Sequence, residues 1–376
     1  MRLVPDPENP KLLHMVYIMS SFPARIDGNV FYVRSEDGGK TWSSRRQIYS
    51  MTDDPVWVAE HLDTNFSPPR GQSFTASIVV YDENVLLVSI HRQYPKIGSP
   101  VFTGNAANTN WDKAVVRSAD KGRTWSRVAG ATEQFIDPFP HDPAGNGPPL
   151  FTGNAIFSGD LATPLVVSPY TGRVYMSYMA GNTDISSDPL VARGFPRIVL
   201  SASVDEGITW SPSVQINRTP SNIPIGNQQA FWNSMTIAND GSVVIAYYDF
   251  RNWTGGGIND PLQTDVWMDI YEEVSDPHGG STGLGLNFLK EIRLTSTSYD
   301  ARISLNNGLG TRTVNGLLGF GTALAVNQRN EILVSYGTTH PSPPITTIGY
   351  KGMTINSNNF INLYVDHVKL PVKTNR

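Results

Sequence analysis

Apolar positions in this 376-residue chain fall into short runs, alternating or nearly continuous over roughly four to eight residues, broken by Gly, Pro, Asn, Asp and Ser. The runs are rich in β-branched and aromatic residues, and no stretch holds a helical period for three turns. They predict strands, and the strands group in fours. The first group takes 2–4, 11–19, 30–34 and 42–49; the second 74–81, 85–91, 114–118 and 125–129; the third 163–168, 174–179, 197–203 and 210–216. The fourth takes 234–238, 243–249, 265–271 and 288–294, and the fifth 322–326, 332–336, 346–350 and 360–368.

Between the third and fourth strands of the first three groups the chain repeats one octapeptide. Ser35-Glu36-Asp37-Gly38-Gly39-Lys40-Thr41-Trp42 returns as Ser118-Ala119-Asp120-Lys121-Gly122-Arg123-Thr124-Trp125 and as Ser203-Val204-Asp205-Glu206-Gly207-Ile208-Thr209-Trp210, with 83 and 85 residues between successive serines. The shared pattern is S-x-D-x-G-x-T-W, and a repeat at nearly constant spacing decides the fold before anything else does. Asp is expected to accept hydrogen bonds from backbone N–H groups about two residues on, Gly to supply a backbone angle a side chain would forbid, and Trp to open the next strand and carry apolar surface into the core. Residues 275–282 read as a decayed fourth copy. These aspartates are assigned to structure, not catalysis.

Five four-stranded units in succession predict an all-β β-propeller of antiparallel blades, treated as one domain over 1–376 with units at about 1–50, 70–130, 155–217, 230–295 and 318–370. Loop lengths then orient the blades. First-to-second strand turns are tight, at 82–84, 169–173, 239–241 and 327–330, and third-to-fourth turns are the octapeptides. The long segments all leave the opposite strand ends: 50–73, 92–113, 130–162, 180–196, 217–233, 251–264, 295–321 and 337–345. Long loops over a rigid scaffold are where function concentrates.

Composition narrows the chemistry. Charged residues are 16% and net charge is −4 with no basic block, so neither nucleic acid nor an anionic membrane is an expected partner. No apolar run is long enough for a spanning helix, and no membrane insertion is expected. The absence of Cys excludes disulfides, thiolate catalysis and Cys-based zinc sites. Sequons stand at Asn65, Asn217 and Asn252.

The three octapeptides match the Asp-box, or BNR repeat, so the chain resembles the sialidase superfamily from about residue 30 to 294, with the fifth unit extending the likeness. The resemblance implies a six-bladed propeller. It also implies an arginine triad that clamps a substrate carboxylate, a Tyr nucleophile with a neighbouring Glu, and an Asp acid/base. Where such proteins carry their first arginine in an R-I-P signature, this chain has Arg2-Leu3-Val4-Pro5, and Pro196-Arg197-Ile198 leads a third strand. The resemblance further suggests an extracellular or surface-exposed location.

Topology places the candidates on the loop-bearing ends. Asp160 (the preferred acid/base), Asp249 and Tyr336 are the catalytic candidates; Arg25, Arg70, Arg92, Arg251, Arg312 and Trp232 are the substrate-binding ones. Asp249 and Arg251 also read as a loop-stapling ion pair, the preferred assignment on residue type alone. His91 and His340 lack the converging partners that zinc requires, so no metal and no cofactor is expected. Two functions stay open: an exo-glycosidase acting on a terminal anionic sugar, and a non-catalytic propeller that binds glycans or proteins on a cell or particle surface.

Overall fold

The computed structural model describes residues 1–21, 26–50, 72–82, 84–95, 109–128, 134–135, 163–180, 197–223, 227–254, 263–300, 322–350 and 353–370. Among these the architecture is all-β, a series of antiparallel sheets of propeller-blade type in chain order. Sheet one runs β1 (Arg2–Pro5), β2 (Leu13–Ser21), β3 (Ile26–Ser35) and β4 (Arg46–Tyr49). Sheet two runs β5 (Gln72–Val80), β6 (Leu86–Pro95), β7 (Thr109–Ser118) and β8 (Ser126–Arg127), with β9 (Gln134–Phe135) added on β7. Sheet three runs β10 (Leu165–Val167), β11 (Val174–Ala180), β12 (Arg197–Ser203) and β13 (Val214–Gln215). Sheet four runs β14 (Ala230–Ile237), β15 (Val243–Asp249), β16 (Gln263–Glu273) and β17 (Leu286–Arg293), with β18 (Tyr299–Asp300) added on β16. Sheet five has three strands, β19 (Ala323–Val326), β20 (Glu331–Tyr350) and β21 (Met353–Lys369).

The fifth sheet corrects one expectation. Residues 346–350 are not a separate third strand; they continue β20, which runs 20 residues before turning into the 17-residue β21. Pro341, Pro343 and Pro344 read as a break between strands, but the pairing with β21 only shifts register there and resumes at Ile345.

Two compact units divide the chain. The first comprises Met1–Asp137, Leu161–Tyr178 and Val199–Val214; the second comprises Pro138–Asp160, Met179–Ile198 and Gln215–Arg376. In the first, Val16, Val30, Tyr32, Tyr49, Ile78, Leu86, Val88, Ile90, Ala114 and Val116 form one buried apolar cluster. In the second, Phe231 stacks against Tyr248 and against Phe250, with ring centroids 5.6 and 4.9 Å apart.

All three boxes fold to one hydrogen-bond set. The Ser hydroxyl donates to the Asp carboxylate at 2.8 Å in each copy and accepts from the Gly amide, at 2.8 Å in the first two and 2.9 Å in the third. The Thr amide donates to Asp Oδ1 at 2.7–2.9 Å, and the Thr hydroxyl donates to Asp Oδ2 at 2.6 Å. The Asp therefore captures the residue four positions on, not two. The Trp indole N–H donates to the Gly carbonyl at 3.1–3.2 Å. It closes the turn ahead of the next strand; Trp42 is 38% exposed and only caps its turn, whereas Trp125 is half-buried and packs against the apolar cluster and the Tyr32 ring, as a core anchor should. Two successive positive φ angles make the reversal: Gly38 and Gly39, Lys121 and Gly122, Glu206 and Gly207. In residues 275–282 Asp276 Oδ1 accepts from the His278 amide, and Thr282 bonds to the Leu286 carbonyl. The β16–β17 turn is where it was expected, but without the box's bonds.

Within the first unit each later box docks on the sheet before it. A Cβ added at Gly122 would meet the Tyr32 ring at 2.5 Å, and one at Gly207 would meet Leu87 at 2.7 Å. The residue before the box serine reaches across as well. Arg34 Nη1 donates to the Lys121 carbonyl at 3.3 Å; Arg117 Nε donates to the Glu206 carbonyl at 3.0 Å, with Nη2 on Glu206 Oε2 at 2.6 Å. The carbonyl captured is in each case that of the non-glycine residue with positive φ. Tight first-to-second strand turns occupy the same ends of the sheets, several of them closed by a side chain that accepts nearby amides: Asp6, Asp82, Asp240 and Asn327.

Candidate functional site

The opposite strand ends carry the candidates. In the second unit the densest polar group stands on one face of sheet four. Alternation along β15 places Tyr247 and Asp249 on that face, and antiparallel register sets Tyr247 opposite Trp267, Asp249 opposite Asp265, and Asp269 opposite Glu291 of β17. Arg251, two residues past the end of β15, folds back over them. Its Nε donates to Asp249 Oδ2, its Nη1 to Glu291 Oε1 at 2.8 Å and its Nη2 to the Tyr247 hydroxyl at 3.1 Å, while the guanidinium lies 3.8 Å from the Trp267 ring centroid. Thr219, in the segment after β13, donates to Asp249 Oδ2 at 2.8 Å, and the Arg218 amide donates to the Tyr247 hydroxyl at 3.1 Å. The Tyr247 hydroxyl donates to Asp269 Oδ2 at 2.9 Å.

Electrostatics follow from burial and charge count. Three carboxylates share one close guanidinium. Burial pushes Asp249 up to about 6 against the pull of Arg251 and Thr219. Burial, and then the Glu291 carboxylate opposite, hold Asp269 well above the usual carboxylate range. Burial opposes the charge on Arg251, but Asp249, Tyr247 and Glu291 outweigh it and leave the guanidinium more firmly protonated. A carboxyl near pH 6 in contact with a fixed cation has the acidity of a general acid or base, and it is also what a buried ion network produces. Beside this group Asp265 is a fully engaged hub. It accepts from Arg293, Thr295, Ser298 and the Asn252 side-chain amide.

Trp232 lies on β14 at a register irregularity between Phe231 and Ser234, with φ of 51°, a value that costs strain in a bulky residue. Its ring packs edge-on against Phe231 and Tyr248, it is buried, and its indole N–H finds no acceptor among the described residues. Tyr336, on β20, donates to Asp366 Oδ2 of β21 at 2.6 Å and stacks on Tyr364. Burial, then the Asp366 contact, push its phenol pKa up, so the neutral form is favoured. Tyr336 therefore stands in a tyrosine–carboxylate pair.

In the first unit, β6 carries His91 and Arg92, both buried, with Arg92 Nη1 donating to the Tyr49 hydroxyl at 3.4 Å. Register places Lys113 of β7 opposite His91, and Lys113 Nζ lies 2.6 Å from His91 Nδ1. Burial, then the charges of Lys113 and Arg92, hold the imidazole neutral. Its Nδ1 is therefore the acceptor for the ammonium.

Asp249 and Arg251 are thus joined directly, and Trp232, Tyr336 and Arg92 each sit in separate buried settings. Asp160, Arg25, Arg70 and Arg312 lie outside the described residues. Sequence reasoning missed Tyr247, Trp267, Asp269, Glu291, Lys113 and Asp366. Strand alternation carries the signal for Tyr247, two before Asp249; the others enter through cross-strand register, which the chain does not spell out locally. Among the described residues no three His, Asp or Glu converge as a metal site, and no helix is long and apolar enough to cross a membrane.

No protein-family model matches the chain, and no curated protein matches it in sequence. Among solved structures it is similar over 97% of its length to the GH93 α-L-arabinofuranosidase of Fusarium graminearum, covering 91% of that chain at 14% identity and a TM-score of 0.41. It is similar over 91% of its length to the intramolecular trans-sialidase of Ruminococcus gnavus, covering 50% of that chain at 14% identity and a TM-score of 0.37. Over 99% of its length it is similar to an endo-arabinase of Bacteroides thetaiotaomicron, covering 93% of that chain at 10% identity and a TM-score of 0.37. Likeness at this level carries no information on activity.

Proposed function

We propose that the chain is a carbohydrate-directed, sialidase-like propeller acting as an exo-glycosidase on a terminal anionic sugar at the loop-bearing strand ends, in an extracellular or surface-exposed setting. The observation that supports it most is the Asp249–Arg251–Glu291 group at the end of β15 opposite the boxes, where a carboxyl with a pKa near 6 meets a guanidinium. In this reading Asp160 is the acid/base, and Tyr336, polarised by Asp366, is the nucleophile. Asp249 is the second carboxyl, Arg25, Arg70, Arg92, Arg251 and Arg312 supply cationic contacts, and Trp232 offers an aromatic wall.

One observation favours the second reading, a non-catalytic glycan binder: the Arg251 guanidinium is already engaged by two carboxylates of its own chain. Hydrolysis of a fluorogenic sialoside, beside neutral fluorogenic glycosides and a glycan-binding assay, separates the two. Turnover that falls at least about tenfold in Asp160→Asn and Tyr336→Phe supports the enzyme. Binding without turnover selects the second reading. Turnover that survives Asp160→Asn, Tyr336→Phe and Arg251→Ala alike overturns the site.

A further inference from the structure

One buried titratable cluster in the first unit takes no part in the proposed site. His14 of β2 and Tyr32 of β3 share the face of sheet one that carries the buried apolar cluster, and both are buried. His14 Nδ1 lies 2.7 Å from the Tyr32 hydroxyl, which has no other hydrogen-bond partner among the described residues. His14 Nε2 lies 3.9 Å from Asp6 Oδ2, beyond hydrogen-bond length, and is otherwise without a polar partner among the described residues. Asp6 Oδ1 is taken by the Glu8 and Asn9 amides. The phenol continues into sheet two. A Cβ added at Gly122 would meet the Tyr32 hydroxyl at 2.5 Å, and the Trp125 ring stands 5.2 Å from the Tyr32 ring. Imidazole, phenol and second box therefore lie in series across one joint.

A neutral imidazole has one acceptor nitrogen and one N–H. With Nδ1 accepting from the phenol, Nε2 carries the hydrogen and turns it toward the Asp6 carboxylate. Protonation adds a hydrogen at Nδ1. Two donors then face each other, and the phenol O–H loses its acceptor inside a buried joint. Asp6 gains in the same step, because a cation now stands beside its carboxylate and a closure of about 1 Å makes a charge-assisted bond. Each protonation state of His14 thus has its own partner. We propose that His14 is an acid-sensitive latch between sheet one and the second box: neutral, it holds Tyr32 against Gly122; protonated, it turns to Asp6 and lets the Tyr32 hydroxyl go. Burial lowers the His14 pKa from its ordinary 6.5; Asp6 opposes this and Arg34 of β3 adds to it. The latch therefore contributes fully above 6.5 and is lost as pH falls through the lower folded value. Around it, Glu36 pairs with Arg34, and Arg46 of β4 acts on Tyr32. From the second box, Lys121 offers its carbonyl to Arg34, and Asp120 is held by Ser118 and Thr124.

NMR on the intact chain, labelled at histidine and tryptophan side chains, reads both ends of the joint. The Trp125 indole N–H donates to the Gly122 carbonyl, so its resonance follows the box. His14→Asn or His14→Gln assigns the imidazole, and Trp125→Phe assigns the indole. In the parent, His14 should titrate below 6.5 and the Trp125 indole should shift with the same midpoint. His14→Asn keeps an acceptor near Nδ1 and cannot titrate, so the Trp125 resonance should stay flat across that range. Tyr32→Phe removes the bond that favours neutral imidazole and should raise the His14 midpoint by at least about 0.5 pH units, whereas Asp6→Asn should lower it by as much. The shared midpoint is read in the parent, so a variant that fails to fold leaves the test standing. A His14 that titrates at or above 6.5, a Trp125 indole that does not follow it, or a midpoint unmoved by Tyr32→Phe and Asp6→Asn alike would each overturn the proposal.

Discussion

The Arg117 clamp gives the sharpest stability prediction, because its two halves can be separated. Arg117 is 15% exposed at its side chain and makes two contacts on Glu206: Nε to the backbone carbonyl at 3.0 Å and Nη2 to the carboxylate at 2.6 Å. Glu206 is 43% exposed, so the ion pair is solvent-screened and contributes about 0.2–1 kcal/mol. The charged hydrogen bond to the carbonyl contributes about 1.5–3 kcal/mol, and it also holds a non-glycine residue at a φ of 60°. Arg117→Ala should therefore cost about 2–3 kcal/mol, and Glu206→Ala less than about 1 kcal/mol. With about 2.1 cal/mol/K of unfolding entropy per residue, 376 residues give about 1.3 °C per kcal/mol, so Arg117→Ala should lower Tm by roughly 3–4 °C. The assay is thermal and urea unfolding of both single variants and the double. The coupling energy should stay below about 1 kcal/mol. If Glu206→Ala costs as much as Arg117→Ala and the coupling accounts for the whole loss, the carbonyl contact contributes nothing and the reasoning is wrong.

The remaining predictions concern turns and buried charge. Gly122→Ala places a Cβ 2.5 Å from the Tyr32 ring at a φ of +79°, whereas Gly38→Ala, at +73°, meets nothing within 4 Å; the first should cost several-fold more than the second in urea unfolding. Hydrogen bonds from Thr41 and Ser35 hold Asp37 at about 2; at Asp120 burial opposes but those from Thr124 and Ser118 prevail, also leaving it at about 2. A depressed carboxyl contributes stability that is full above its ordinary value of 3.8 and disappears as pH falls through about 2, so Thr124→Val should move the acid-unfolding midpoint upward. Asp249 has the opposite sign. Raised from 3.8 to about 6, it makes the folded state bind the extra proton, so its contribution is full below about 3.8 and is lost as pH rises through 6; Asp249→Asn should flatten stability across that window. Arg251→Met leaves Asp249 and Glu291 without their cation and should cost about 3–5 kcal/mol at pH 7.5, with partial recovery at pH 5, read from Tm at the two pH values.

The blade pattern was legible because it rests on local physics. Period-two alternation fixed most strands to within a few residues, and β12 and β15 fell where the apolar runs placed them. The octapeptide specified its own turn. The Trp reading held for Trp125, which packs on the core, and failed for the exposed Trp42, since residue type does not say that the indole N–H has the Gly carbonyl within reach. The 346–350 strand failed because Pro341, Pro343 and Pro344 mark a break that the pairing with β21 absorbs as register shifts.

What the chain alone determined is therefore the repeat, the turn chemistry of each box and the end of each sheet from which long loops leave. These depend on neighbours within about eight residues. The Asp249–Arg251 pair was legible as a loop staple; only the tertiary structure decided that Arg251 also reaches Glu291, that Lys113 faces His91, and that Tyr336 is paired with Asp366. Those last three contacts join residues 22 to 40 positions apart through strand register and loop return. Register is set by how whole sheets bury their apolar faces, so no local segment carries the information that brings such partners together.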